Sequence, residues 1–283
     1  MKDKKVLFLL IAGMLVSCCS CSNQNIDSIP EQEQAVIIET IASESLVSFT
    51  ESDIPTETAV SESISETVTE TEEVTTEEPT TEESIHTEEI ASFFKNSGID
   101  ISEVQDSEQL IIVKSSGSDA SVYLYELTEK YWTEISHTYG VVGKYGVSAE
   151  SREGDYRTPK GLFPLGFAFG TEELEDLSIE YRKMNSHCYW VDDPESEYYN
   201  QWVESDEIHW DSAEHLADYP TAYRYTVAIN YNMNPVVPYA GSAIFLHCQT
   251  GSYTAGCVAV PKNDMYQILY WLDETKKPMI LIY

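Results

Sequence analysis

The sequence predicts a mostly β domain with a few flanking helices, carried on a disordered stalk. Three observations lead there. Short runs rich in β-branched and aromatic residues, bounded by Gly, Pro or Asn, recur from residue 109 to the C-terminus, as strands do. Helix-period apolar spacing is scarce in the same region. Residues 31–90 hold 18 Asp and Glu and no Lys or Arg among many Ser and Thr, too little apolar surface to offset the entropy of ordering.

Taken in order, the chain starts with Lys2, Lys4 and Lys5, followed by an apolar run from Val6 to Val16. Crossing a bilayer takes about 20 apolar residues, so the run reads as the core of a signal peptide over 1–17. Leu15-Val16-Ser17-Cys18 resembles the bacterial lipobox. Of the cysteines at 18, 19 and 21, Cys18 has the best preceding triplet and is the expected lipidation site. The chain is then exported and held at a membrane by a lipid anchor. Residues 18–94 are the expected tether, extended by like charges. Roughly 75 flexible residues span about 50 Å on average and at most about 250 Å.

Residues 95–283 amount to one domain, with 13 basic and 29 acidic residues. The resulting net charge of −16 argues against nucleic acid as a partner. Strands are expected at 109–113, 120–127, 223–230, 242–247 and 279–283, with a hairpin or tight bend around Gly143–Lys144. Asn263 caps a predicted helix whose Met265, Ile268, Leu269 and Leu272 fall at i, i+3, i+4 and i+7. A second helix is expected around Glu172–Met184.

The chemistry concentrates in HCQTGSYTAGC, residues 247–257. A strand, SAIFL, delivers His247 to its end, and a loop returns the chain to Gly256 and Cys257. The domain has three cysteines, Cys188, Cys248 and Cys257, so at least one thiol is left over if bridges are intramolecular; Cys188 and Cys248 are the candidate pair. A thiol with an ordinary pKa of ~8.5 needs a base to become a good nucleophile, and His247 is within reach along the loop. Cys248, next to it in a strand, faces the other way and reads as core. Gly256 allows a backbone conformation closed to other residues, and the amides around Ala255 and Gly256 form a candidate oxyanion hole. His187, Cys188, His247, Cys248 and Cys257 are zinc-type ligands, but their spacings match no common pattern.

The order of these segments, the flanking strand and GCVAVP resemble the YkuD-family L,D-transpeptidases over most of residues 120–283. EGDYRTPKGLFPLG (153–166) is similar to the family's D-G-x-T-P-x-G-x-F stretch, and WVDDPESEYYNQW (190–202) to a segment of its clostridial-type branch. Ala255 stands where the family usually has a histidine two positions before the cysteine, so base duty falls on His247. The resemblance implies a β-sandwich-like catalytic domain that transfers acyl groups on peptidoglycan stem peptides through a Cys257 thioester, as a monomer and without metal or organic cofactor. Arg157, Lys160, Tyr253, Thr254 and Trp202 are the expected substrate contacts, and the aromatic 189–202 segment is an expected lid. The expected location is the outer face of the membrane, toward a Gram-positive-like wall. L,D-carboxypeptidase or amidase hydrolysis, and a silent wall-binding lipoprotein, are the alternatives.

Overall fold

The computed structural model describes residues 81–129 and 131–283, with side chains from Thr87 onward. Residues 1–80, and with them the expected signal peptide, Cys18 and most of the tether, lie outside the described residues.

Helix α1 (Thr81–Ser97) leads into strands β1 (Gln109–Ser116), β2 (Asp119–Thr128), β3 (Tyr131–Val141), β4 (Val147–Ser148), β5 (Thr158–Pro159) and β6 (Gly161–Gly170). Then come β7 (Tyr181–Lys183), β8 (Cys188–Val191), β9 (Trp202–Glu204) and β10 (Ala213–His215). The chain ends with β11 (Thr226–Ile229), β12 (Phe245–Cys248), β13 (Val258–Val260), helix α2 (Lys262–Trp271) and β14 (Met279–Ile282). The class is mostly β, as the sequence predicts. The large sheet runs β11-β12-β13-β3-β2-β1-β14-β6-β7, and a further β11–β6 pairing closes it into a barrel. Strands β10, β8 and β9 form a separate three-stranded sheet.

Alternation along β1 explains the layering. Ile111 and Val113 enter the principal core, whereas Leu110 and Ile112 enter a second core on the other face. A strand buried on both faces carries a continuous apolar run, which is what QLIIV is. Strand β14 repeats the split, with Ile280 and Ile282 on one side and Leu281 on the other. Helix α1 covers the second core with Ile90, Phe93 and Phe94, a stripe at i, i+3 and i+4. Gly98, with φ +75°, follows the helix end, in the left-handed conformation that glycine adopts at low cost. Packed structure therefore begins before the boundary expected at residue 95: Ile90 closes the acidic stretch, and Phe93 and Phe94 follow directly after it.

Other local expectations shift. No helix forms at 172–184. Asp176 has φ +60°, Tyr181 pairs in parallel register with Ala168, and Leu174, Leu177 and Ile179 reach the core singly. The exposed edge of β6 offers backbone partners that a helix crowded with five carboxylates does not outbid. Helix α2 forms where predicted and buries Met265, Ile268 and Leu269, but it starts at Lys262 after Pro261. Asn263 thus lies inside the first turn and caps nothing. The segment around Gly143–Lys144 is a tight bend closed by Gly146 N–H to Gly143 O at 2.8 Å; β4 beyond it pairs with β5, not β3.

Candidate active site

Strands β12 and β13 run parallel, with Leu246 opposite Val258 and His247 opposite Ala259. Extending the register by one residue sets Cys257 beside Phe245. Residues two apart on a strand share a face, so Phe245, His247, Cys257 and Ala259 lie on one side. Leu246, Cys248, Val258 and Val260 lie on the other, inside the principal core. Cys248 is therefore a core residue, as its position in the strand predicts. His247 and Cys257 are separated by about 7 Å along the strand direction and both line a cleft of ≈ 460 Å³. A cavity of ≈ 640 Å³ lies elsewhere, between Glu103–Ser107, β6 and Pro278–Met279. It holds no cysteine or histidine, so the smaller cleft is the one with chemistry.

Cys257, the candidate nucleophile, is held from its backbone and its sulfur. Thr254 Oγ1 and Thr158 Oγ1 both donate to the Cys257 carbonyl, at 2.6 and 3.1 Å. Thr158 Oγ1 also accepts the Gly143 amide at 2.8 Å, so the RTPKG stretch ties the cysteine to the β3–β4 bend. The Cys257 thiol donates to Ala243 O at 3.3 Å and accepts the Phe245 amide at 3.4 Å. Ala243 has φ +51°, a strained conformation of the kind concentrated at functional sites. Asn200 holds it there: its Oδ1 accepts the Ala243 amide and Trp190 Nε1, while its Nδ2 donates to the Tyr231 and Asn232 carbonyls.

His247 is 7% exposed. Its Nδ1 lies 3.0 Å from the Cys248 carbonyl. A carbonyl only accepts, so Nδ1 carries the proton and Nε2 keeps its lone pair. The Tyr223 ring meets the imidazole edge-on with centroids 5.4 Å apart, and the Tyr223 hydroxyl donates to Glu214 Oε1. Burial lowers the His247 pKa to about 4, with its hydrogen bond to Cys248 opposing. Burial pushes the Cys257 thiol far above its ordinary range, and the Glu214 carboxylate adds to this. Glu214 itself is raised to about 7 by burial, against the Tyr223 hydrogen bond. At neutral pH the resting pair is thus thiol and neutral imidazole.

These shifts make stability pH-dependent in opposite directions. Below its unfolded value near 6.5, His247 takes up a proton in the unfolded chain but not in the fold until pH falls to about 4, so acidification costs about 3 kcal/mol. Glu214 keeps its proton in the fold up to about pH 7 and the unfolded chain does not, so acidification returns about 3 kcal/mol. The two nearly cancel. In a His247→Asn variant only the Glu214 contribution remains. The stability difference between wild type and variant, read from urea unfolding, is expected to fall by about 3 kcal/mol between pH 7 and pH 4. A constant difference would contradict the buried, neutral imidazole.

Of the other expected contacts, Tyr253, Thr254, Ala255 and Gly256 line the cleft. Arg157, Lys160 and Trp202 are not among its lining residues. Arg157 Nη1 donates to the Tyr145 carbonyl, Lys160 is exposed, and Trp202 packs edge-on against Phe167 and Phe169. The 189–202 segment is built into the three-stranded sheet, with Trp190 and Tyr199 buried and Asp192 at the cleft. Gly256 is not in a left-handed conformation; a side chain there would press on Ile244 Cδ1 and Arg157 O, at 3.2 and 3.3 Å. Its amide donates to Thr254 Oγ1. Among the described residues, the Ala255 and Cys257 amides have no hydrogen-bond partner, so they are the better oxyanion donors. Cys188, Cys248 and Cys257 are all free thiols. Among the described residues no three His, Cys, Asp or Glu side chains converge as a metal group, and His187 pairs with Asp206 at 2.6 Å instead.

Sequence reasoning missed Thr158, Glu153, Glu214 and Tyr223. Thr158 sits inside a quoted motif, between two charged residues that drew attention first. Glu153 accepts the Tyr199 and Ser242 hydroxyls, at 2.6 and 2.9 Å, and holds the cleft wall together. Nothing local marks Glu214 or Tyr223, which only the fold brings to Cys257.

Against known families, residues 109–281 match YkuD, the L,D-transpeptidase catalytic domain. No curated protein matches the chain. Among solved structures, that of Bdellovibrio bacteriovorus Bd1075 is similar at 14% identity with a TM-score of 0.36. The likeness covers 62% of this chain and 48% of that one, so the chain spans about half of that protein's length.

Proposed function

Because the chain belongs to the YkuD family of L,D-transpeptidase catalytic domains, which act on peptidoglycan stem peptides, we propose that it forms cross-links through a thioester on Cys257. One observation carries the reading most: His247 and Cys257 share one face of two parallel strands at a common cleft, with the imidazole tautomer fixed so that Nε2 is basic.

In the first half-reaction the donor carbonyl, on the L-centred third residue of a stem, enters beside Cys257. His247 Nε2 takes the thiol proton as sulfur attacks, and the carbonyl oxygen gathers charge against the Ala255 and Cys257 amides. The C–N bond breaks, the departing D-amino acid receives the proton from His247, and the thioester remains. Both groups are neutral at rest, so proton transfer accompanies attack rather than preceding it. Thr158, Thr254 and Asn200 keep the sulfur and its loop in place. In the second half-reaction an amine from a neighbouring stem takes the acyl group. The proposed setting is a lipidated chain anchored at Cys18, with the acidic stretch between it and helix α1 (Thr81–Ser97) as tether and the domain facing a Gram-positive-like wall.

Intact-mass spectrometry of the full chain after incubation with a carbapenem tests acylation. A single adduct, mapped to Cys257 by digestion, is expected. A free Cys257 thiol and no adduct would instead favour a wall-binding protein without turnover.

A further inference from the structure

The cleft that holds Cys257 is lined by three carboxylates, Glu153, Asp192 and Glu214, and by no Lys or Arg. Glu153 is engaged by Tyr199 and Ser242. Asp192 accepts the Ser212 hydroxyl. Glu214 is different: it is connected through Tyr223 to the imidazole, since the Tyr223 hydroxyl ends on Glu214 Oε1 while its ring edges His247. Only one oxygen of Glu214 is taken up by that bond. A carboxylate beside a cysteine nucleophile hinders thiolate formation, so its place in the first half-reaction is unfavourable. The second half-reaction gives it a use.

Proton counting shows why. Near neutral pH a primary amine is an ammonium ion, with three N–H protons. Forming an amide from it leaves one. Of the two that depart, one restores the Cys257 thiol and the other needs a second acceptor. His247 serves for the first. We propose, resting on the acyl-transfer reading above, that Glu214 binds the incoming ammonium of the acyl acceptor and takes its first proton, which makes the acceptor a primary amine bound as its cation. The steps balance. Glu214 receives H⁺ from R–NH₃⁺; the freed nitrogen lone pair attacks the thioester carbon; the C–S bond breaks with its electrons on sulfur. The second proton passes through His247 Nε2 to Sγ, and Glu214 releases its own to water. Burial helps, because it makes Glu214 a stronger base than an ordinary carboxylate. Tyr223 fixes its orientation.

The test uses the full chain, a stem tetrapeptide as donor and two small acceptors. Methylamine is a cation at neutral pH; hydroxylamine is largely uncharged there and needs no first proton removed. In Glu214→Gln, which preserves the acceptor oxygen for Tyr223, kcat/KM for methylamine is expected to fall by about 100-fold, the lower range for loss of a proton-transfer group. Transfer to hydroxylamine should change by less than about threefold, and acylation should proceed, faster if anything, because a negative charge has left the thiol's surroundings. Equal losses with both acceptors, or no loss with methylamine, would overturn the assignment. If the wild-type chain never acylates on the donor, the acyl-transfer reading itself falls, and this inference with it.

Discussion

Replacing Cys257 by Ala is expected to lower turnover of a stem-peptide donor by at least about 10⁴-fold, as loss of a covalent nucleophile does elsewhere, and to abolish any covalent adduct. Among the described residues no other thiol is placed to substitute. Cys188 and Cys248 are buried, and Cys248 faces the principal core on the opposite side of β12. The fold should survive. The side chain is small and the loop it belongs to is fixed through its own carbonyl by Thr158 and Thr254, contacts that the substitution leaves alone. What is lost is the thiol's hydrogen bond to Ala243 O and the acceptor for the Phe245 amide, worth about 1–2 kcal/mol. For a domain of this size that is a melting shift of only several degrees. Cys257→Ser, which keeps both hydrogen bonds, should melt closer to wild type and be nearly as inactive. Substantial turnover in either variant would remove Cys257 from the mechanism.

The second large effect concerns stability. A chain starting at residue 95, the boundary composition suggests, is expected to lose cooperative unfolding or to aggregate. Ile90, Phe93 and Phe94 are 0%, 6% and 2% exposed, and each such burial contributes about 1.5–3 kcal/mol. Their joint loss, roughly 5–8 kcal/mol, rivals the entire stability of a typical domain, about 5–15 kcal/mol. Truncation would also uncover Leu110, Ile112, Tyr125 and Leu281 beneath the helix and remove Glu89, which accepts the Tyr125 hydroxyl at 3.0 Å. A chain starting at residue 73 retains the helix and should melt like the full protein. Urea unfolding followed by near-ultraviolet circular dichroism separates the two. Equal midpoints would show that α1 adds nothing to the fold.

The same helix marks where sequence reasoning stopped working. Composition averaged over residues 31–90 reports solvated chain: of the stripe only Ile90 falls inside that window, and Phe93 and Phe94 lie just past its end. By contrast, β1 and α2 were legible because their burial is written in runs of neighbouring residues: QLIIV for a strand covered on both faces, Met265, Ile268 and Leu269 for a single helix face. The stretch 172–184 misled because Leu174, Leu177 and Ile179 approximate a helical spacing while the backbone partner that decides matters, Ala168 on β6, lies outside the window. The candidate site divides in the same way. His247 and Cys257 were legible through ten residues of local chain and a recognisable family pattern. Thr158 acts on Cys257 across 99 positions, and Glu214 reaches the site through Tyr223, relations that no local pattern contains. Charge was a poor guide: Arg157 and Lys160 flank the residue that reaches Cys257, and neither lines the cleft.

The buried, protonated state of Cys257 has a consequence for survival in an oxidising surrounding. Peroxides and other oxidants attack thiolate, not thiol, and carry a reactive cysteine up to sulfenic acid and then to irreversible states. Burial pushes all three thiols of the domain upward, and none is exposed. On the mechanism proposed above, Cys257 becomes reactive only while an acyl donor fills the cleft and His247 takes the proton. With its thiol held protonated and covered, Cys257 offers oxidants little thiolate to attack, which suits a cysteine to an oxidising surrounding without a reductant to regenerate it.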